Sequence, residues 1–150
     1  MLVSGMVKRS LVDYPGRVAC VLFVPGCNYN CFYCHNRHLL TGDQEIIDAA
    51  YLEEFLRKRA GVLDAVVISG GEPTLQPDLP SFAQRIKRLG YKLKLDTNGS
   101  APPLIKRLLR SGVFDYYAVD YKAPAERYRE ICGDTADAAA ALATIRLLLQ

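Results

Sequence analysis

The chain has 150 residues, with 19 Lys and Arg against 16 Asp and Glu, and half of its residues are hydrophobic. This is enough for one domain with a core, and no apolar run reaches the about 18 residues that a membrane-spanning helix needs. The net charge of +3 is spread out, without a basic block interleaved with aromatic residues, so we expect neither nucleic acid nor a membrane as a partner.

The five cysteines bear on the compartment of the protein and on its chemistry. Their number is odd, and residues 1–10 lack the long apolar stretch of a secretion signal. We therefore expect no disulfide framework and predict a cytoplasmic protein. Three of the cysteines crowd into residues 27–34, and such a cluster needs a chemical explanation of its own.

Short apolar segments alternate with amphipathic segments along the chain. The predicted strands cover residues 18–24, 65–68, 91–95 and 114–121. The predicted helices cover residues 49–60, 79–89, 102–111 and 138–149. Asp48 and Asp137 are good N-caps, and Gly112 is a good stop signal. Alternation of strand and helix four times over predicts parallel βαβ units in a single α/β domain, residues 1–150.

The residues of unusual chemistry follow the predicted strands. The four segments after those strands are 26–38, 69–73, 96–99 and 120–122. Because the carboxyl ends of parallel strands meet at one edge of a sheet, these segments are expected to converge. The sequence therefore predicts a single active site at that edge.

The cysteine loop has the spacing C-x3-C-x2-C, formed by Cys27, Cys31 and Cys34. Thiolates bind soft metals and iron–sulfur clusters, and short spacings let one loop wrap around one centre. Inert buried cysteines are one alternative. A structural zinc site is another, but His35 would have to be the fourth ligand, directly after a cysteine. A four-iron cluster held by three cysteines would leave one iron free to bind a small molecule.

The cysteine loop also resembles the signature of the radical S-adenosylmethionine superfamily, with Tyr33 as the aromatic residue before the last cysteine. The sequence GGEP at 70–73 is similar to the motif with which that superfamily grips the amino group of the methionine moiety. This form of the cysteine motif is highly specific.

Further motifs narrow the resemblance to the glycyl-radical-enzyme activating proteins. They are DTNG at 96–99, DYK at 120–122 and CHNR at 34–37. Within that group, SLVDYPG at 10–16 and SGGEPTLQ at 69–76 look most like the activating proteins of anaerobic ribonucleoside-triphosphate reductase. Pyruvate formate-lyase activating enzymes come second.

The resemblance implies an enzyme with a 4Fe–4S cluster and S-adenosylmethionine as cofactors. Reductive cleavage of S-adenosylmethionine would yield methionine and a 5'-deoxyadenosyl radical, which removes hydrogen from a glycine of the partner enzyme. The expected partner is anaerobic ribonucleoside-triphosphate reductase, and the expected electron donor is a flavodoxin or a ferredoxin.

The resemblance also implies roles for the residues around the cluster. Cys27, Cys31 and Cys34 would each bind one iron. Gly70 and Gly71 lack a Cβ, which would let the backbone approach the ligand closely. Glu72 would offer its carboxylate to the cationic amino group of the cofactor, and an ordinary acid at the start of a helix is the alternative for that residue.

The remaining site residues follow the third and fourth predicted strands. Asp96 and Thr97, with Asp120, would hold a monovalent cation beside the cofactor carboxylate, since oxygen ligands suit a hard cation. A solvated turn is the alternative for this segment. Lys122 is expected to meet the carboxylate or ribose of the cofactor, and Tyr33 to contact the adenine through its backbone.

The predicted fold is a partial (β/α) barrel of the radical S-adenosylmethionine type. Related enzymes have six βα units and only four are predicted here, so we expect a chain truncated at its C-terminus. A non-catalytic iron–sulfur module or electron carrier remains an alternative, as does a small-molecule radical enzyme such as those of deazapurine synthesis. Cys20, as an apolar filler, and Cys132, in a late loop away from the cluster motif, are assigned no chemistry.

Overall fold

The computed structural model describes residues 1–40 and 44–150 and contains one five-stranded sheet. Its strands are β1 (Gly5–Ser10), β2 (Ala19–Val24), β3 (Ala65–Gly70), β4 (Lys92–Thr97) and β5 (Tyr116–Val119), in that order across the sheet. β2 to β5 pair in parallel, which confirms the four predicted strands. β1 was not predicted, and it pairs antiparallel with β2 at the edge of the sheet.

The helices are α1 (Ala49–Arg59), α2 (Leu79–Arg88), α3 (Pro102–Ser111), α4 (Tyr128–Cys132) and α5 (Ala138–Leu148). Four of them agree with the predicted helices to within one residue at each end. The predicted caps are present, because the Asp48 carboxylate accepts from the Tyr51 N–H and the Asp137 carboxylate accepts from the N–H groups of Ala139 and Ala140. The short helix α4 was not predicted.

The larger part of the core lies between the sheet and helices α1, α2 and α3. Leu22, Ile68 and Leu93 are fully buried on the helix-facing side of the sheet. Because β2 and β3 are covered on both faces, their sequences are almost continuously apolar, as is usual for parallel strands.

The opposite face of the sheet is covered, at the end where the parallel strands begin, by the loop between β1 and β2. Tyr14 in this loop packs against the small buried residues Ala19, Ala65 and Val67. Its ring also contacts Tyr116 of β5, with 5.8 Å between the ring centroids. Loop 11–18 therefore covers the part of this face that is remote from the carboxyl edge.

The parallel register brings the ends of the strands together at one edge. Val24 pairs with Gly70 across β2 and β3, and Thr97 pairs with Val119 across β4 and β5. The segments that follow these four residues therefore emerge side by side. Among the described residues, no helix is both long and apolar enough to cross a membrane.

Candidate functional site

A cavity of about 280 Å³ opens at the carboxyl edge of the sheet. Cys27, Cys31 and Cys34 line it from the loop after β2. From the other three segments it is lined by Gly70, Gly71, Asp96, Thr97, Asp120 and Lys122. The structure thus brings all four post-strand segments to a single cavity, together with Tyr33 and His35 from the cysteine loop.

Backbone hydrogen bonds hold the cysteine loop in place from two sides. The Gly26 N–H donates to the Leu39 carbonyl over 2.8 Å, which closes the base of the loop. The Asn30 N–H donates to the carbonyl of Cys132 over 2.8 Å, at the end of α4. A side chain adds a third bond, because the Arg37 guanidinium donates to the Cys31 carbonyl over 3.1 Å. These bonds connect the loop to Leu39 at its base and to the end of α4.

The three cysteines are free thiols that differ in exposure. Cys31 is buried, whereas Cys27 and Cys34 are half-buried. Burial raises the pKa of Cys27, and burial together with the neighbouring Cys132 raises the pKa of Cys31 to about 12. Because a thiolate is the metal ligand, binding of iron must displace these protons.

The donor set fits a cluster held by three thiolates. Cysteine thiolates are the ligands of iron–sulfur clusters, and all three cysteines line the same open cavity. The zinc alternative needs four ligands around one ion. Within residues 1–40 and 44–150, no group of three or more His, Cys, Asp or Glu side chains is arranged to hold a single ion, and this includes the three cysteines themselves.

Gly70 and Gly71 line the cavity, but their missing side chains serve a contact between two backbone segments. A Cβ built on Gly71 would overlap the carbonyl of Gly26 in the cysteine loop. A Cβ on Gly70, whose φ is +114°, would overlap the backbone of Val24. Both glycines are therefore needed for close packing of β3 on β2 and on the loop, and the close approach to a ligand stays a prediction.

The carboxylate of Glu72, which we predicted to meet the amino group of the cofactor, is directed into the protein. The side chain has no exposed surface and is not among the residues that line the cavity. It accepts hydrogen bonds from the N–H and hydroxyl of Thr74, the hydroxyl of Thr97 and the N–H of Asn98, at 2.6–3.0 Å. Four donors of this kind satisfy a buried carboxylate and join the ends of β3 and β4.

Lysine side chains accompany both of the carboxylates that we expected to hold a monovalent cation. Lys94 Nζ lies 3.0 Å from Asp96 Oδ1, and Lys122 Nζ lies 2.9 Å from Asp120 Oδ2. Burial raises the pKa of Asp96 in spite of Lys94. Burial alone would lower the pKa of Lys122, but its hydrogen bond to Asp120 raises it. An ammonium group thus lies beside each of these carboxylates, although the buried Asp96 Oδ1 accepts no hydrogen bond. We expect the two lysines to take the place of a further cation.

Asn98 connects the segment after β4 with the cysteine loop, a contact that sequence reasoning missed. Its side-chain amide donates to Asn28 Oδ1 over 2.9 Å and lies 3.9 Å from the Cys27 sulfur. Its carbonyl oxygen accepts from the Ser100 N–H over 2.9 Å, which fixes the orientation of the amide. The asparagine of the DTNG sequence was the only signal for this contact.

Tyr33 and Cys132 take positions that the sequence did not indicate. The Tyr33 hydroxyl donates to the Lys122 carbonyl over 2.9 Å, so its ring spans from the cysteine loop to the segment after β5. Cys132 ends α4 and packs against Cys31 in one buried group of side chains. The expectation that Cys132 lies away from the cluster motif is therefore wrong. About a hundred residues separate the two cysteines, and no sequence pattern marks their contact.

Comparison with known proteins places these features in a family. The sequence profile of the Radical SAM superfamily matches residues 21–150. A protein of Methanocaldococcus jannaschii, provisionally named a glycyl-radical enzyme activating enzyme, is 40% identical over 131 residues, which cover 86% of this chain and 53% of that protein. A 7-carboxy-7-deazaguanine synthase of Neisseria meningitidis serogroup B is 35% identical over 114 residues, which cover 74% of this chain and 47% of the synthase.

A solved structure of TYW1 with a lysine–pyruvate adduct bound superposes with a TM-score of 0.52, covering 87% of this chain and 50% of that one. At 20% sequence identity this similarity shows the fold alone, and it confirms the predicted partial barrel. The chain spans about half the length of the curated relatives that it matches. The resemblance to the radical S-adenosylmethionine superfamily is confirmed, and the chain belongs to the Radical SAM superfamily.

Proposed function

We propose that this chain binds a 4Fe–4S cluster through Cys27, Cys31 and Cys34 and takes part in generating a glycyl radical on a partner enzyme. The observation that carries the proposal is the placement of these three thiols in one cavity with Gly70 and Gly71. With S-adenosylmethionine bound, a reduced cluster of this kind supplies the electron that cleaves the cofactor to methionine and a 5'-deoxyadenosyl radical.

The chain's own residues bind and position the cofactor. The Lys122 ammonium lines the cavity, and we assign it to the carboxylate or ribose of S-adenosylmethionine. Gly70 and Gly71 also line the cavity, and we assign their backbone to the methionine moiety. In this proposal, Glu72 does not contact S-adenosylmethionine directly. It positions the ends of β3 and β4 through its hydrogen bonds to Thr97 and Asn98.

A glycyl radical enzyme is the proposed partner. Two relatives from Methanocaldococcus jannaschii, 40% and 35% identical to this chain, carry names of glycyl-radical enzyme activating enzymes. The sequences at 10–16 and 69–76 favour anaerobic ribonucleoside-triphosphate reductase over pyruvate formate-lyase as the partner. A flavodoxin or a ferredoxin is the proposed electron donor, and the cytoplasm is the proposed location of the protein.

The other candidate function with specific support is small-molecule radical chemistry. Its support is the 35% identity to 7-carboxy-7-deazaguanine synthase. The DTNG and CHNR sequences favour the activating enzyme. A non-catalytic electron carrier is distinguished from both, because it would leave S-adenosylmethionine intact.

The proposal is tested with anaerobically reconstituted protein, dithionite and S-adenosylmethionine. We expect formation of methionine and 5'-deoxyadenosine, loss of both products in Cys31→Ala, and retention of both in Cys20→Ala, which changes a buried cysteine of β2. Addition of an anaerobic ribonucleoside-triphosphate reductase should then give an organic radical signal in electron paramagnetic resonance. An intact cofactor would contradict the proposed chemistry, and cleavage with a radical only on pyruvate formate-lyase would contradict the proposed partner.

A further inference from the structure

The side chain of Asn98 faces the start of the cysteine loop. Asn98 follows the last residue of β4, is 3% exposed and is held by its backbone N–H, which donates to the buried Glu72 carboxylate over 2.7 Å. Its side-chain amide donates to Asn28 Oδ1 over 2.9 Å. The same amide nitrogen donates to Cys27 Sγ, with 3.9 Å between nitrogen and sulfur. One side chain outside the loop thus contacts both the first cysteine and the residue after it.

Two further hydrogen bonds fix which end of the Asn98 amide faces the sulfur. The Asn98 carbonyl oxygen accepts from the Ser100 N–H over 2.9 Å. Asn28 Nδ2 donates to the Ser100 hydroxyl over 3.0 Å, which leaves Asn28 Oδ1 turned toward Asn98. A flipped Asn98 amide would place its NH2 group against the Ser100 N–H and its oxygen against Asn28 Oδ1. An amide nitrogen carries two hydrogens, so one goes to Asn28 and the other is available to Cys27.

The Asn98 amide can act on the sulfur in any ligation state of Cys27, because an amide does not ionise near neutral pH. The Tyr29 N–H is a second donor to the same sulfur, over 3.4 Å, and it belongs to the backbone. Hydrogen bonds to the sulfurs of an iron–sulfur cluster are among the factors that set its reduction potential, because they stabilise the more negative state. The buried position of Asn98 favours such an effect, since a low local dielectric constant strengthens a hydrogen bond.

We propose that Asn98 is a positioning residue that directs an amide hydrogen at the Cys27 sulfur and thereby makes the bound cluster easier to reduce. The inference rests on the proposed function only in requiring that Cys27 binds the cluster. Reduction transfers one electron from a protein donor of the flavodoxin or ferredoxin class, or from dithionite in the test, and no bond forms or breaks at Asn98.

The test is an anaerobic reductive titration of the reconstituted protein with dithionite, followed by electron paramagnetic resonance. A weak net hydrogen bond predicts that Asn98→Ala lowers the equilibrium constant for reduction about 2- to 5-fold. A fivefold change corresponds to about 40 mV for a one-electron couple. Asn98→Asp keeps an acceptor for the Ser100 N–H but replaces the donor by a charged oxygen. Its equilibrium constant should fall at least as far as that of Asn98→Ala.

Asn28→Ala is the matched control, because it breaks the same bridge between the two segments but leaves the Asn98 amide in place. The Ser100 N–H still orients that amide, and the Thr135 hydroxyl still donates to the carbonyl of residue 28. The equilibrium constant of Asn28→Ala should therefore stay at the wild-type value, with equal iron and sulfide contents in all four proteins.

An unchanged equilibrium constant in Asn98→Ala would overturn the inference, as would an unchanged or raised constant in Asn98→Asp. An equal decrease in Asn28→Ala would overturn it as well, because the effect would then come from a disturbed loop. Loss of iron in Asn98→Ala would have the same consequence, since the side chain would then be needed to hold the cluster.

Failure of the proposed function gives a different result. If S-adenosylmethionine leaves the spectrum of the wild-type cluster unchanged, the radical chemistry is contradicted. The titrations of the Asn98 and Asn28 variants still measure the effect of the amide on the cluster in that case.

Discussion

The hydroxyl of Thr97 donates a hydrogen bond to the buried carboxylate of Glu72 over 2.8 Å. Thr97 is the last residue of β4, and Glu72 lies two residues after β3. The same Thr97 oxygen accepts from the Gly99 N–H over 3.1 Å. The carboxylate of the GGEP sequence thus connects the ends of two strands. Its replacement should therefore affect stability as well as binding.

Glu72→Gln should destabilise the cluster-free chain. The substituted amide would place an NH2 group against buried donors, and a buried donor left without an acceptor costs about 1–3 kcal/mol. We expect a loss of that size in the free energy of unfolding, measured by urea denaturation. Glu53→Gln on the exposed surface of α1 is the control and should change it by about 0.5 kcal/mol at most. A Glu72→Gln protein as stable as the wild type would favour direct contact of this carboxylate with the cofactor.

Binding of S-adenosylmethionine should not require sodium or potassium ions. The Lys94 ammonium is largely buried beside Asp96, where it also donates to the Asp13 carbonyl over 2.6 Å. We expect the affinity of the reconstituted protein for the cofactor to be unchanged when these ions are replaced by choline. In Lys94→Met, affinity should fall and recover when the small cations are added.

The matched control for Lys94 lies two residues away on the same strand. Lys92 forms an ion pair with Asp115 at 2.9 Å, outside the residues that line the cavity. Lys92→Met should bind the cofactor like the wild type in either salt. If sodium or potassium strengthens binding to the wild-type protein, the conclusion that lysines replace the cation is wrong.

Gly71→Ala should disturb the junction between β3 and the cysteine loop. The added Cβ would overlap the Gly26 backbone, which cannot move aside as a flexible side chain could. Overpacking of this kind costs about 1–3 kcal/mol, measured as the free energy of unfolding. Gly5→Ala is the control, because a Cβ there meets only the Phe23 side chain at an ordinary 3.5 Å. Equal stability of the two variants would show that the junction is not tightly packed.

Asp115 should contribute stability that depends on pH. Burial opposes its ionisation, but the ammonium groups of Lys87 and Lys92 and the Leu93 N–H bind the carboxylate and lower its pKa below 3.8. A lowered pKa in the folded state means that the stabilisation is present above the ordinary carboxyl pKa and is lost as pH falls through the folded value.

The comparison protein for this pH dependence is Asp115→Asn. At neutral pH its free energy of unfolding should lie below that of the wild type by a constant amount. This difference should shrink as the pH is lowered below 3.8. Asp134→Asn, at an exposed position before α5, should change stability little at any pH. The role of the charge would be contradicted if the difference in free energy of unfolding between Asp115→Asn and the wild type did not change with pH, even where the Asp115 carboxylate is fully protonated.

Much of the fold could be predicted because its signals are local. The segment ACVLFV of β2 is apolar throughout since both of its faces are buried, and the α1 and α5 caps are single residues with a defined hydrogen bond. β1 was missed because GMVKRS has no regular alternation and owes its pairing to β2. The five residues of α4 are too few to show a helical period.

The sequence indicated which segments form the candidate site, but it indicated less about how their side chains are oriented. The motifs indicated which segments meet, because parallel strands bring their ends together. They could not indicate that Glu72 is directed inward, since that depends on Thr97 and Asn98 in another βα unit. The contact between Cys31 and Cys132 likewise arises from packing of distant segments, and the pairing of Lys94 with Asp96 arises from their common face on β4.

The measurement that tests the central claim most directly is electron paramagnetic resonance of the anaerobically reconstituted, dithionite-reduced protein before and after addition of S-adenosylmethionine. We predict about four iron and four sulfide per chain and a spectrum that changes on addition, because three cysteines leave one iron open to a ligand. Zinc in place of iron, or a cluster spectrum that S-adenosylmethionine leaves unchanged, would contradict the account.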